Sequence, residues 1–181
     1  MTSKTDPDPI EANPGSPAGP AGTREQWLAG DWPLEDRPGF LIRRLHQIHV
    51  SLFADACAEF RVTPLQYSLL SALNTVPSAD QTTLASMVAL DRTTTTGGLK
   101  RLEARGLIRR ERSQMDRRSH VSALTDEGRA LLSSMESAAR RAHAATLAGL
   151  DAEESALFVA MMKRLTLAHA DRTEGGPLIA E

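Results

Sequence analysis

Residues 92–104 (RTTTTGGLKRLEA) form a segment whose two ends are set by local chemistry. Asp91 stands just before it, and a short carboxylate there can accept from the unpaired amides of a helix's first turn. Gly106 stands just after it, where the left-handed geometry that closes a helix costs glycine nothing. On a helical period, Leu99 and Leu102 share one side, while Thr93, Thr94, Thr96, Gly97, Lys100 and Arg101 are left on the other. The outer face is small and polar at its N-terminal end and basic further along. It can approach another surface closely and meet it with hydrogen-bond donors.

The neighbouring stretches narrow the possibilities. Residues 81–88 read as a short helix. Leu107 to Arg112 and Ser119 to Ala123 read as two strands joined by a charged turn near Gln114 to Asp116. Helix, tight turn, helix and hairpin is the order of a winged helix-turn-helix. From Asp91 to His120 nine Lys and Arg (Arg92, Lys100, Arg101, Arg105, Arg109, Arg110, Arg112, Arg117, Arg118) face four acids (Asp91, Glu103, Glu111, Asp116). That is a local balance of +5 within a chain of formal charge -2. A basic stripe on a mildly acidic chain is the electrostatic footprint of a nucleic-acid site. The plainer alternative is a solvated basic surface. The face suits the major groove of double-stranded DNA: Arg92 and Arg101 as phosphate contacts, Lys100 for phosphate or guanine, and the threonines for thymine methyls, bases or phosphate. Two successive glycines inside a helix cost about 1 kcal/mol each against alanine, so each should answer a close approach. We assign Gly97 to the DNA side and Gly98 to the core.

The run Leu90-Asp91-Arg92, then Leu99-x-x-Leu102-Glu103-x-x-Gly106-Leu107-Ile108-x-Arg110, then Asp116-Arg117-Arg118, then Leu124-Thr125-x-x-Gly128 resembles the multiple-antibiotic-resistance regulator (MarR) family. The motif covers about fifty residues, and the flanking helices extend the likeness to roughly residues 38–170. The resemblance implies a homodimer on near-palindromic DNA. It also implies a wing whose Arg118 enters the minor groove while Asp116 holds it in place, with Arg117 beside them. A narrow A·T groove attracts a guanidinium, and a neighbouring carboxylate fixes its direction.

The rest of the chain supplies helices and two tails. Residues 1–23 are rich in Pro, Gly, Ser and acids and lack an apolar period, so disorder is expected. Residues 24–39 form an arm that Trp27, Leu28, Trp32 and Leu34 can anchor. Residues 40–60 read as one helix with a wide apolar face, and residues 64–74 as a second, with Thr63 as N-cap and Pro64 in the first turn. Residues 75–80 read as a loop. Thr125 caps a helix running to about Ala148, and Asp151 with Glu154 opens the last one. Residues 171–181 read as a loose tail. The fold class is therefore mainly α with a small β-wing. Residues 63–124 form the winged helix-turn-helix, and residues 40–62 with 125–170 form a helical dimerisation region, because three helices exceed what a small reading head needs to cover itself.

Composition sets the function class. Aromatics are only 4 %, so the core is aliphatic. No apolar run approaches a membrane span and no signal peptide opens the chain, which leads us to expect a cytoplasmic protein. No glycine-rich phosphate loop, nucleophile elbow or metal motif occurs, so neither an enzyme nor a cofactor is expected. The chain reads as a ligand-responsive regulator, most often a repressor in the family it resembles. On residues 40–60, Arg43, His46 and Phe53, with His49 one step aside, make an apolar wall carrying a cation and two imidazoles. Such a wall suits a phenol or a small aromatic acid. The segment also looks like family members that control aromatic-acid breakdown, some of which answer to a coenzyme A thioester. The alternative for both histidines is a structural role. Two further alternatives stay open: a peroxide switch through the single cysteine, Cys57, and a protein-binding winged helix without DNA affinity.

Overall fold

In the computed structural model, which describes residues 32–112 and 120–169, six α-helices and three strands follow in the order α1 (Pro38–Ala56), α2 (Pro64–Thr75), β1 (Ala79–Asp80), α3 (Gln81–Met87), α4 (Arg92–Ala104), β2 (Ile108–Arg112), β3 (His120–Leu124), α5 (Asp126–Thr146) and α6 (Ala152–Ala168). By contact the chain divides into Met1–Leu41 and Ile42–Glu181. The described part of the first unit holds a 3-10 turn, Leu34–Asp36. There the Arg37 guanidinium donates to the Trp32 carbonyl at 2.9 and 3.1 Å and lies over its ring. Trp32 is half-buried and Leu34 is 52 % exposed. Trp27, Leu28 and the two tails lie outside the described residues.

In the second unit the strands form one antiparallel sheet in the order β1-β3-β2. Ile108 pairs with Leu124 and Arg112 with His120, while Ala79 pairs with Ser122. β2 starts one residue later than expected and ends at Arg112 as expected, while β3 ends one residue later than expected, at Leu124, and Ser119 lies outside the described residues. The expected loop 75–80 contains β1, because Asp80 serves two elements: it ends the strand, and its carboxylate accepts from the Thr82 and Thr83 amides to start α3. The core is aliphatic around one phenylalanine. Phe53, Leu69, Leu70, Leu73, Leu84, Leu99, Leu102, Leu124 and Met135 are almost fully buried, and each such side chain is worth about 1.5–3 kcal/mol of burial. Phe53 on α1 and Met135, Ala138, Ala139 and Ala142 on α5 belong to the same cluster as the leucines of α2 and α4. The expected dimerisation and reading regions therefore share one core.

Caps set most helix ends. Thr63 and Gln66 form a reciprocal box at α2, and Asp151 and Glu154 do the same at α6. The expected single helix 40–60 stops at Ala56. A 3-10 turn, Ala58–Phe60, follows, and Arg61 adopts left-handed geometry with φ 52°. That turn is tied from a distance: Arg105, beyond the end of α4, donates to the Arg61 and Phe60 carbonyls at 2.7 and 3.0 Å. At α5, which ends at Thr146 rather than near Ala148, the Thr125 hydroxyl accepts from the Gly128 amide and donates to the Gly106 carbonyl. A Cβ on Gly128 would overlap the Leu107 carbonyl. The Leu124-Thr125-x-x-Gly128 motif thus consists of a core residue, a cap and a close approach of backbones.

Candidate functional site

α4 is built as its flanking residues require. The Asp91 carboxylate accepts from the Thr94 amide at 2.8 Å, and its bonds to Thr94 hold it below the usual carboxylate range. Gly106 closes the helix with φ +71°. Leu99 and Leu102 are fully buried. Arg92, Thr93, Lys100 and Arg101 are exposed, and Thr94, Thr96 and Gly97 are half-exposed. Thr95 turns inward, where its hydroxyl donates to the Asp91 carbonyl. The two glycines face different surroundings. A Cβ on Gly98 would lie 2.6 Å from Leu65 Cδ2 and 2.7 Å from Leu69 Cδ1, so its absence lets α4 cross α2 closely. A Cβ on Gly97 would meet only the Arg101 guanidinium, at 3.4 Å.

The basic stripe separates into two groups. Arg105 is spent on the Phe60–Arg61 turn. Arg109 donates to the Leu124 carbonyl and to Glu111, and Arg110 lies 3.7 Å from Glu103. Arg92, Lys100, Arg101 and Arg112 remain on the exposed surface. Asp116, Arg117 and Arg118, at the expected wing tip, lie outside the described residues.

Between α1, α2, α5 and the turn before α4 lies a cavity of about 570 Å³. His49 and Phe53 of α1 line it. So do Tyr67, Ser68, Ser71 and Thr75 of α2, Met87 to Ala89 at the α3–α4 turn, and His143 of α5. His49 stacks on His143 with ring centroids 4.9 Å apart. Its Nδ1 is 2.9 Å from Thr146 Oγ1, whose own proton goes to the Ala142 carbonyl. Nδ1–H is therefore the donor, and Nε2 is left as an acceptor. Burial, then His143 and His46, hold the His49 pKa below its ordinary value. That shift favours the neutral imidazole. Of the four expected ligand residues, the structure brings His49 and Phe53 to the cavity. Arg43 and His46 are exposed on α1 and are not among the residues lining it.

Residues 62–120 match the sequence profile of the MarR family. The chain is 35 % identical to the transcriptional regulator PcaV of Streptomyces coelicolor, solved in complex with its natural ligand. The match covers 77 % of this chain and 99 % of that one, with a TM-score of 0.70. The chain belongs to the MarR family. This MarR protein is thus a DNA-binding transcription regulator rather than an enzyme. It is also similar to Bordetella bronchiseptica BpsR, whose DNA binding is regulated by 6-hydroxynicotinic acid (28 % identity, 76 % of this chain and 98 % of that one, TM-score 0.72). A third likeness is to the repressor CouR bound to a 23-mer DNA duplex (29 % identity, 76 % and 99 %, TM-score 0.68).

Two other features bear on switching and assembly in this MarR chain. Cys57 is 1 % exposed, and burial pushes its thiol pKa up, with Arg141 opposing and Glu59 adding to the shift. A peroxide-reactive cysteine needs the opposite setting, accessible and rich in thiolate. α6 has no buried residue, and Leu157 and Leu165 are each 58 % exposed; Ile42 and Ile48 on α1 are exposed as well. Among the described residues no helix is long and apolar enough to cross a membrane, and no group of three or more His, Cys, Asp or Glu could hold a metal. The sequence reading missed the α2 wall of the cavity. Tyr67, Ser68, Ser71 and Thr75 recur at helical spacing opposite the Leu69, Leu70 and Leu73 stripe, and that hydroxyl-bearing face was the available signal. His143 had none, since it meets His49 only through the tertiary fold.

Proposed function

We propose that this protein is a ligand-responsive repressor that binds a near-palindromic operator as a homodimer and is released by a small aromatic acid or phenol. The cavity carries this reading. Its volume lies within the range of small-molecule sites, and aromatic rings and hydroxyls line it beside an imidazole whose Nε2 can accept a hydrogen bond from a phenol or a protonated acid. A coenzyme A thioester would place its acyl group there and run its remaining length outward. The cavity also touches the reading head. Met87 to Ala89 line it, Ala89 adopts left-handed geometry with φ 52°, and Asp91 caps α4 two residues later. An occupant that favours one setting of this turn shifts α4 between DNA-competent and incompetent states, which is the differential affinity a switch requires.

In this reading α4 lies in the major groove. Arg92 and Arg101 meet phosphates, Lys100 meets phosphate or guanine, Thr93, Thr94 and Thr96 meet base edges, and Gly97 allows the approach. Asp116, Arg117 and Arg118 serve the wing. The exposed apolar side chains of α6 and α1 find cover in a second copy of the chain, so residues 40–62 and 125–170 form the dimerisation region around the reading head at 63–124. The test is a mobility shift with the purified protein and its own upstream DNA. Hydroxylated aromatic and heteroaromatic acids, 6-hydroxynicotinic acid among them, and an aryl-coenzyme A thioester are added in turn. Specific binding relieved by one of them, and less so in a Tyr67→Ala or His143→Ala variant, is the expected result. Specific binding that no such compound relieves overturns the ligand assignment, and absence of specific binding at moderate salt overturns the regulator reading.

A further inference from the structure

Two residues on different helices fix the orientation of a third that α4 presents outward. Thr96 is half-exposed, and its hydroxyl donates to the Arg92 carbonyl at 2.6 Å. Gln81, the first residue of α3, places Nε2 2.5 Å from Thr96 Oγ1 and 3.2 Å from the same Arg92 carbonyl. The chemistry settles which end of the amide faces α4. A carbonyl oxygen has no proton to give, so the group beside it must be the NH2. Both amide protons of Gln81 are thus used on α4, one on Arg92 and one on Thr96. The Thr96 hydroxyl in turn donates to one neighbour and accepts from another. A threonine in a helix ordinarily divides between two side-chain rotamers, and Gln81 stabilises the one whose oxygen points back along α4. The branch left for an incoming surface is the methyl.

We propose that Gln81 is a specificity-determining positioning residue: by holding the Thr96 hydroxyl against α4 it presents the Thr96 methyl to the base edges, so that this position reads the 5-methyl of thymine. The inference rests on α4 being the helix that enters the major groove. It changes what Thr96 contributes. The hydroxyl, whose proton is committed within the chain, gives none to a base, and selectivity at this position comes from contact between two methyl groups. It also gives α3 a part in base selection without any contact of its own to a base.

The experiment selects duplexes from a randomised library with the purified full-length protein. It then measures their affinity by fluorescence anisotropy as each thymidine in turn is replaced by deoxyuridine, which removes only the methyl. In the wild type one thymidine per half-site should show a loss of about fourfold, the worth of one buried methyl group. Thr96→Ser should abolish that loss, Thr96→Val should keep it, and Gln81→Ala should reduce it by freeing the second rotamer, with far-UV circular dichroism of each variant matching the wild type. The proposal is overturned if no thymidine responds, if the response survives in Thr96→Ser, if Thr96→Val no longer binds the selected duplex, or if Gln81→Ala leaves the response unchanged. Failure of the wild type to select any sequence is a separate result, which removes the DNA-reading role of α4 and this inference with it.

Discussion

Replacing Gly97 and Gly98 one at a time by alanine should move stability in opposite directions, because the two glycines serve different neighbours. Inside a helix, alanine is favoured over glycine by about 1 kcal/mol. At Gly97 nothing opposes that gain: the new Cβ meets a flexible guanidinium at an ordinary 3.4 Å. Gly97→Ala should therefore stabilise the fold by about 1 kcal/mol. At Gly98 the new Cβ falls 2.6 and 2.7 Å from the methyl carbons of Leu65 and Leu69, roughly 1 Å inside normal carbon–carbon contact. Leu69 is fully buried and has little room to turn away. Overpacking of that kind costs about 1–3 kcal/mol, so after the helix gain Gly98→Ala should range from neutral to about 2 kcal/mol destabilising. Urea unfolding followed by circular dichroism resolves the difference. With a slope of about 2 kcal/mol per molar, 2 kcal/mol separates the two midpoints by about 1 M. All measurements need one protein concentration, since the stability of the proposed dimer depends on it. If Gly97 faces DNA, its alanine variant should also bind operator about tenfold more weakly while being the more stable protein. A Gly98→Ala midpoint at or above that of Gly97→Ala would refute the packing argument. Unchanged DNA affinity of Gly97→Ala would refute the close approach.

Four other outcomes follow from the same geometry. Arg105→Ala should destabilise the fold by about 1 kcal/mol through the loss of two bonds to the Phe60–Arg61 turn, yet leave the salt dependence of DNA binding unchanged. Lys100→Ala should instead lower the salt slope by about 1 with little effect on unfolding. The depressed pKa of His49 means that the unfolded chain binds more protons below the ordinary value of 6.5. Stability should thus fall as pH drops through that value, and the difference in urea midpoint between pH 8 and pH 5.5 should shrink in His49→Gln; an equal difference in both proteins would remove His49 as its source. Cys57 should react with a thiol reagent far more slowly in the native protein than in urea, and fast stoichiometric labelling of the native state would contradict its burial.

The parts of the fold visible in the sequence were those governed by neighbours along the chain. Asp91, Thr125 and the Asp151–Glu154 box act within one helical turn, so the starts of α4, α5 and α6 could be read directly. The early end of α1 could not, because Arg105 holds the Phe60–Arg61 turn from 44 residues away. Counting charge along the chain could not show which of its cations have partners within the fold, for the same reason. Arg105, Arg109 and Arg110 looked equivalent to Lys100 and Arg101 until the fold gave each of them a carbonyl or a carboxylate. The cavity shows the limit most clearly. His49 and Phe53 were legible as one helix face, but the hydroxyls opposite come from α2 and the stacked imidazole from α5. Arg43 and His46 share the apparent stripe with Phe53, yet they lie nearer the start of α1, away from the Phe53 end that meets α2 and α5. A cation that looked available for a carboxylate is thereby absent from the wall, where the stacked rings of His49 and His143 stand instead. An anionic acid bound beside His49 is favoured by the protonated imidazole, so its binding should tighten as pH falls below the ordinary imidazole value of 6.5.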